Sequence, residues 1–390
     1  MKTLYIHIGT PKTGTSSIQR FLYINRDILK KFGYCYPVFT YRYPDVSRKR
    51  NAHFMAAKMY DSAGKRKLSS EQSELNEGLA QVAEIFQKFD NVIISDESIW
   101  QAFRSSHKNL MPCLMEESRR QGYRIKIIVY LRRQDQFLLS RWNQTVKYVA
   151  SNPLPWEEYS KKVLKKESYI LDYADTLDRL ADYVGKENII VRRYDRNDWI
   201  NSSLIEDFMN CIGLTVTDEY LPLAQNENLR LEGNAIEIKR VINSCSPLSK
   251  EDRIYLGNFL QEQAPDFGKR YPCCMMSPEE IEEFLGRYED GNNRVSAEYI
   301  GDGRPLFTGK NKELPKWQTD NPYMTGDVIS FFSAVTVSLH QKNEEQRTEI
   351  NNLRQELSVM RTQIDNLRSF REKIKHPFRT LFNKLFHRKK

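Results

Sequence analysis

Two kinds of apolar pattern alternate along the first two hundred residues. Short apolar runs within residues 4–8, 92–95, 125–131 and 187–194 have the length and continuity of strands buried on both faces. Between them lie longer stretches with helical spacing. The first covers residues 16–32, where Ile18, Phe21, Leu22, Ile28 and Leu29 fall on one side, and others follow at 71–89, 108–121, 134–149, 156–166, 172–184 and 202–212. Strands that alternate with helices predict parallel βαβ units, so the expected fold is α/β, a parallel sheet flanked by helices. Residues 36–76 interrupt the alternation. They are polar and rich in Tyr, Arg and Lys, with a short helix predicted over 51–60, and read as a substrate loop or lid.

Past residue 300 the pattern changes. Residues 301–330 are rich in Gly, Pro, Asn and Lys and read as a linker or strap. A heptad repeat follows over 331–375, with Asn343, Ile350, Leu357 and Ile364 at a and Leu339, Gln346, Leu353, Met360 and Leu367 at d. Arg347, Arg354, Arg361 and Arg368 occupy e, and Glu349 and Glu356 occupy g. In a parallel pair Glu349 faces Arg354 of a second copy and Glu356 faces Arg361, whereas an antiparallel pair opposes arginine to arginine. The expectation is a parallel, homodimeric coiled coil. Residues 376–390 then place Phe378, Leu381, Phe382, Leu385 and Phe386 on one face ringed by basic side chains, the pattern of a helix lying on an anionic membrane surface.

Charge sharpens this division. The chain of 390 residues carries a formal +9, but residues 371–390 hold eight Lys/Arg against one Glu, so the body is near neutral and nucleic acid is a poor partner. Six cysteines without a CxxC pair, an N-terminus with too short an apolar run for a signal peptide, and no run of 18 apolar residues point to a reducing, cytoplasmic setting. Peripheral attachment at the inner face of the cell membrane is expected from the tail. Adjacent Cys273 and Cys274 read as small apolar residues.

The candidate chemistry begins where the first strand ends. Gly9-Thr-Pro-Lys-Thr-Gly14-Thr-Ser16 has the glycine spacing of GxxxxGK[ST], with Thr15 in place of the usual lysine and the lysine moved to Lys12. Two glycines, a lysine and the Thr/Ser cluster ahead of a helix form a cradle for a phosphate-like anion. A second candidate follows the third strand. Arg132 ends that strand and Ser140 lies eight residues on, and arginine suits paired phosphate oxygens.

Pro11-Lys12-Thr13-Gly14-Thr15-Ser16-Ser17 resembles the 5′-phosphosulfate loop of sulfotransferases that use 3′-phosphoadenosine 5′-phosphosulfate (PAPS), and Arg132 with Ser140 resembles their 3′-phosphate motif. About the first 300 residues also look like bacterial members associated with polysaccharide assembly, through SDE at 95–97, YLRRQDQFLLSRWNQ at 130–144, VRRYD at 191–195 and YEDGNNRVSAEYIG at 288–301. The resemblance implies a P-loop, nucleotide-kinase-like domain over 1–300 followed by the coiled-coil helix, PAPS as sulfuryl donor, no metal, and a carbohydrate acceptor. It implies that Pro11, Lys12, Thr13, Gly14, Thr15, Ser16, Ser17, Arg132 and Ser140 bind the donor. Where the family often has Asp-Pro, this chain has Arg133-Gln134, so Arg133 is a candidate to share the role of Arg132. Lys12 is the expected catalytic cation. The general base is Glu97, just past the second predicted strand, or His53; His7, on the first strand, reads as structural. Residues 36–76 and 148–169 are expected to select the acceptor. A P-loop kinase and a non-catalytic coiled-coil scaffold are the other readings the sequence leaves open.

Overall fold

Alternation within the strands decides the layers. Leu4, Ile6, Ile8, Val92, Ile94, Ile125, Ile127, Val129 and Leu131 enter one apolar cluster, while Tyr5, Ile93, Ile128 and Tyr130 enter another on the opposite face. A sheet covered on both sides follows. In chain order the elements are β1 (Thr3–His7), α1 (Thr15–Ile24), α2 (Arg26–Lys31), β2 (Tyr34–Cys35), α3 (Leu68–Ile85), β3 (Asn91–Ser95), α4 (Ile99–Ala102), α5 (Leu110–Gln121), β4 (Arg124–Leu131), α6 (Gln134–Lys147), α7 (Trp156–Lys166), α8 (Tyr173–Val184), β5 (Ile189–Arg193) and α9 (Leu204–Cys211). The computed structural model describes residues 1–39, 46–103, 109–147, 154–223, 231–309, 313–375 and 382.

The five strands are parallel in the order β2-β3-β1-β4-β5. The chain leaves β1 towards β2 but leaves β2, β3 and β4 in the other direction. Right-handed crossovers therefore place α1 and α2 on one face and α3, α5 and α8 on the other. The clusters agree: Ile18, Phe21, Leu22 and Leu29 pack with Tyr5, and Leu75, Leu114 and Leu177 pack with Leu4 and Ile6. The exits of β1 and β3 diverge, which opens a crevice at their carboxyl ends, the place where ligands bind in open α/β sheets. Outside this frame, α10 (Ala235–Ser244) and α12 (Pro278–Gly286) pack on α6, α11 (Lys250–Arg270) on α10, and α13 (Glu289–Val295) on α8.

Several expected boundaries are corrected. The helix predicted over 16–32 breaks at Asn25, whose buried side chain donates to the Phe21 and Leu221 carbonyls (3.0 and 3.1 Å) and accepts from the Leu221 N–H (2.7 Å). Only two residues long, β2 escaped the pattern altogether. The helix predicted over 51–60 is a single 3-10 turn at His53–Met55. The reason lies in the shortness of β2, which pairs with β3 only at Asn91 and Val92. Beyond that point Asn51 substitutes for a strand: its Nδ2 donates to the Ile93 carbonyl (3.1 Å) and its Oδ1 accepts from the Ser95 N–H (2.8 Å). Residues 50–53 are thereby held at the carboxyl end of β3.

Two bodies are distinguished, Met1–Asn321 and Pro322–Lys390. Residues 301–309, expected in a linker, are part of the first. Arg193 donates to Asp302 (2.6 and 2.9 Å) and to the carbonyls of Arg304, Pro305 and Leu306, and Leu306 is buried. In the second body α14 runs from Met324 to Lys375, beginning ahead of the predicted residue 331. The tail predicted over 376–390 lies outside the described residues except for Phe382, as do residues 40–45 and 148–153 of the two segments expected to select the acceptor. Among the described residues no helix is long and apolar enough to cross a membrane. All six cysteines are unpaired.

Candidate active site

The crevice is built on the turn after β1. Main-chain pairing with β4 continues past the strand, through Ile8 N–H to the Ile128 carbonyl (3.0 Å) and Thr10 N–H to the Tyr130 carbonyl (3.2 Å), and then the chain turns away. Gly9, Lys12 and Gly14 all have left-handed φ, 60°, 72° and 72°. For Lys12 that conformation costs about 1–3 kcal/mol, which the surrounding contacts must offset. A Cβ on Gly9 would lie 2.7 Å from Thr15 Cγ2 and 3.1 Å from Glu97 Cβ, and one on Gly14 would lie 2.2 Å from Leu204 Cδ2. Both glycines are therefore demanded by φ, and Gly9 alone by packing as well, since the Leu204 methyl beside Gly14 is the tip of a flexible side chain. Gly14 caps α1 without a side-chain hydrogen bond, so the positive end of a ten-residue helix faces the loop.

The predicted loop residues divide by role. Thr13 is buried and its hydroxyl donates to the Thr10 carbonyl (2.5 Å), so it braces the turn. Thr15 is buried beside Gly9, while Ser16 and Ser17 are exposed. The Ser17 N–H is already used, donating to the Gly14 carbonyl (2.9 Å). Pro11 and Lys12 are half-buried at the crest.

Arg132 comes to this loop from the end of β4. Its Nη1 donates to the Lys12 carbonyl (3.1 Å), its guanidinium lies 5.6 Å from the Tyr194 ring centroid, and its own carbonyl accepts from the buried Tyr173 hydroxyl (2.6 Å). Tyr194 also stands 3.3 Å from where a Gly14 Cβ would be, so one ring lies beside both the glycine turn and Arg132. Ser140 is buried on α6. Arg133 is committed elsewhere: it grips Asp135 with both Nε and Nη2 (2.7 and 2.8 Å) and donates to the Gly309 carbonyl (2.8 Å), which makes it a brace. Beside Arg132 a cavity of about 510 Å³ opens between α6, residues 231–233 and residues 271–276.

On the other side of the loop stand the groups from β3. Glu97 accepts from Gln19 Nε2 (3.1 Å) and lies 3.6 Å from Arg50 Nε. Asp96 is fully buried and takes both Arg50 Nη2 (2.7 Å) and Nε (3.1 Å), with His53 Nδ1 at 3.1 Å. Burial works to raise the Asp96 carboxyl, but the His53 hydrogen bond and the Arg50 charge outweigh it and hold it below the ordinary carboxylate range. Beneath, His7 is 2.8 Å from Ser95 Oγ, and burial depresses its imidazole to about 3. His7 is thus a neutral, structural ring.

The structure therefore joins Lys12 to Arg132, Gly9 to Glu97, and His53 to Asp96, the residue before Glu97. Arg50, Asp96, Gln19 and Tyr194 were absent from the sequence-based set. Asp96 had a signal, since it precedes Glu97 at a strand end; Arg50 reads as one of three basic residues in a row, and nothing local distinguishes it.

No family model matches the chain. An uncharacterized protein of Archaeoglobus fulgidus is 29% identical over 178 residues, 45% of this chain and 46% of that protein, so the match spans under half of the relative's length. Among solved structures, a sulfotransferase from Alicyclobacillus acidocaldarius aligns with 63% of this chain and 94% of its own, at 16% identity and a TM-score of 0.33.

Proposed function

We propose that the chain transfers the sulfuryl group of PAPS to a carbohydrate hydroxyl. The observation that carries this reading is the hydrogen bond from Arg132 to the Lys12 carbonyl, because it brings two strings that resemble the donor motifs, 120 residues apart, to one crevice. The donor's 5′-phosphosulfate takes the turn at Pro11–Ser17, where the α1 N-terminus and Lys12 stabilise the charge that gathers on the phosphate as the S–O bond breaks. Arg132 and Ser140 take the 3′-phosphate. Glu97 and His53 stand at the end of β3 as the groups able to accept the acceptor's proton. A kinase reading is disfavoured by Thr15, which is buried against Gly9 where a P-loop lysine is needed.

The second body pairs with that of another copy. Ile350, Leu353, Leu357, Met360, Ile364 and Leu367 are 48–68% exposed along α14, a stripe that a parallel partner covers with the e and g charges in register. Two basic tails presented together bind an anionic cytoplasmic membrane face more firmly than one, which suits a lipid-linked or capsular saccharide acceptor.

The test is label transfer. The full chain is incubated with bacterial polysaccharide and lipid-linked saccharide fractions and either [³⁵S]PAPS or [γ-³²P]ATP. Label arriving from PAPS alone is the expected result; label from ATP alone would establish a kinase, and no transfer with no nucleotide binding would leave the scaffold.

A further inference from the structure

Residues 46–67 bring strong positive charge to one side of the crevice. They hold seven Lys/Arg against one acidic residue, Asp61, whereas the first 370 residues together carry a formal charge of only +2. Two of the seven are committed to structure. Arg50 is gripped by Asp96 (2.7 and 3.1 Å) and Arg66 by Glu71 (2.8 and 3.0 Å), and both carboxylates are fully buried. Glu71 also accepts from the Met59 N–H (2.9 Å), and the Lys67 N–H donates to the Met59 carbonyl (2.8 Å), so the turn at 59–67 is fastened to α3.

The other five, Arg48, Lys49, Lys58, Lys65 and Lys67, have no ionic partner among the described residues. Lys49 is half-buried and the remaining four are exposed. Asp61 is turned into its own loop, where Oδ1 accepts from the Ala63 and Lys65 N–H groups (3.0 and 2.8 Å). Like charges held on a scaffold anchored by buried carboxylates repel one another, and a ligand that carries several negative charges relieves the repulsion.

Placement gives the charge a use. Arg48 and Lys49 directly precede the Arg50–Asp96 clamp, and Lys58 follows Met55 by three residues, at most about 11 Å of chain. In the sheet β3 and β4 lie on opposite sides of β1, so these cations and Arg132 flank the glycine turn from opposite sides. The donor takes the Arg132 side, which leaves the basic side to the acceptor. A membrane surface fits less well, because Phe54, Met55 and Ala57 are buried and Tyr60 is the one large apolar side chain of 46–67 that is exposed, too little to insert into a bilayer.

We propose that residues 46–67 form the docking surface for an anionic saccharide, and that this saccharide is the acceptor. The second half rests on the sulfuryl-transfer reading.

The full chain is titrated by calorimetry with polygalacturonate, in saturating adenosine 3′,5′-bisphosphate so that the donor crevice is filled, with dextran as the neutral control. Wild type is expected to bind polygalacturonate and not dextran, and to lose at least about tenfold in affinity between about 50 and 200 mM salt as counterions are released. Lys58→Gln with Lys65→Gln and Lys67→Gln is expected to weaken binding at least about tenfold. Lys2→Gln with Lys88→Gln and Arg119→Gln removes the same charge near the amino-terminal ends of β1, β3 and β4 and is expected to change it less than about threefold. Bisphosphate affinity, measured alone, stays within about threefold of wild type in both variants. Absence of polygalacturonate binding, equal binding of dextran, or equal losses in the two triple variants overturns the proposal. Tighter binding of phosphatidylglycerol vesicles or duplex DNA than of polygalacturonate, through the same three lysines, also overturns it and gives the surface to a membrane or to nucleic acid. A bisphosphate affinity that falls as far as that for polygalacturonate gives the cations to the donor, with the same consequence. Polygalacturonate bound through these lysines by a chain with no affinity for bisphosphate upholds the docking surface and overturns only the sulfuryl-transfer reading.

Discussion

Acidification should weaken this protein through one buried ring. His7 is 1% exposed, its ring set edge-on to Tyr130 and Phe208 with centroids 6.2 and 5.2 Å away, and Ser95 Oγ 2.8 Å from Nδ1. Burial depresses the imidazole from 6.5 to about 3, against a smaller opposing pull from Asp96. Between those values the unfolded chain binds a proton that the folded chain refuses. Stability therefore rises with pH across that window and falls as pH drops from 6.5 towards 3, by about 1.4 kcal/mol per unit. From pH 7 to pH 5 the loss from this ring alone is about 2 kcal/mol. His7→Phe keeps the ring contacts and gives up one hydrogen bond, at a cost of about 1 kcal/mol at neutral pH. The two proteins are thus expected to exchange rank: wild type more stable at pH 7, the variant more stable at pH 5 by about 1 kcal/mol. Urea unfolding followed by tryptophan fluorescence at both pH values reads the difference. Equal losses in wild type and variant on acidification would refute the reasoning, because they would mean that folded His7 titrates like a solvated histidine.

Three further outcomes follow from named contacts. Gly14→Ala forces a Cβ to within 2.2 Å of Leu204 Cδ2 at φ 72°, so a loss of about 1–3 kcal/mol is expected in thermal unfolding, with weakened bisphosphate binding in calorimetry. Asn51→Ala strips the β3 edge of its side-chain partners at Ile93 and Ser95 and should cost about 2–3 kcal/mol, read by chemical denaturation; a change under 0.5 kcal/mol would show that the edge is satisfied in another way. For α14, sedimentation equilibrium should give a dimer that Leu353→Glu with Met360→Glu converts to a monomer, since each places a charge at d; a wild-type monomer would remove the coiled coil from the account.

How legible the fold was depended on the length of each element. The apolar runs of β1, β3, β4 and β5 announced themselves because both faces of the sheet are covered, and the alternation with helices fixed the α/β class. With two residues, β2 carries no periodicity, and its brevity created the need that Asn51 meets from a segment read only as a polar lid. Asn25 shows the same limit: the break between α1 and α2 is caused by a partner, Leu221, 196 residues away. At the site, the glycine turn and Arg132 were legible because strand ends and left-handed glycines leave local marks. Arg50 was not. Its meaning comes from a buried carboxylate on another element, whereas Arg133, which the sequence offered as a candidate to share the role of Arg132, grips Asp135.

The central claim is that Lys12 and Arg132 jointly hold one nucleotide bearing a 3′-phosphate. Titration calorimetry of adenosine 3′,5′-bisphosphate, with adenosine 5′-phosphate as the control, against wild type, Lys12→Ala and Arg132→Ala measures it directly. The account predicts binding that requires the 3′-phosphate and that weakens at least tenfold in each variant, about 1.4 kcal/mol or more. Equal binding of the two nucleotides, or bisphosphate binding indifferent to both substitutions, would contradict it.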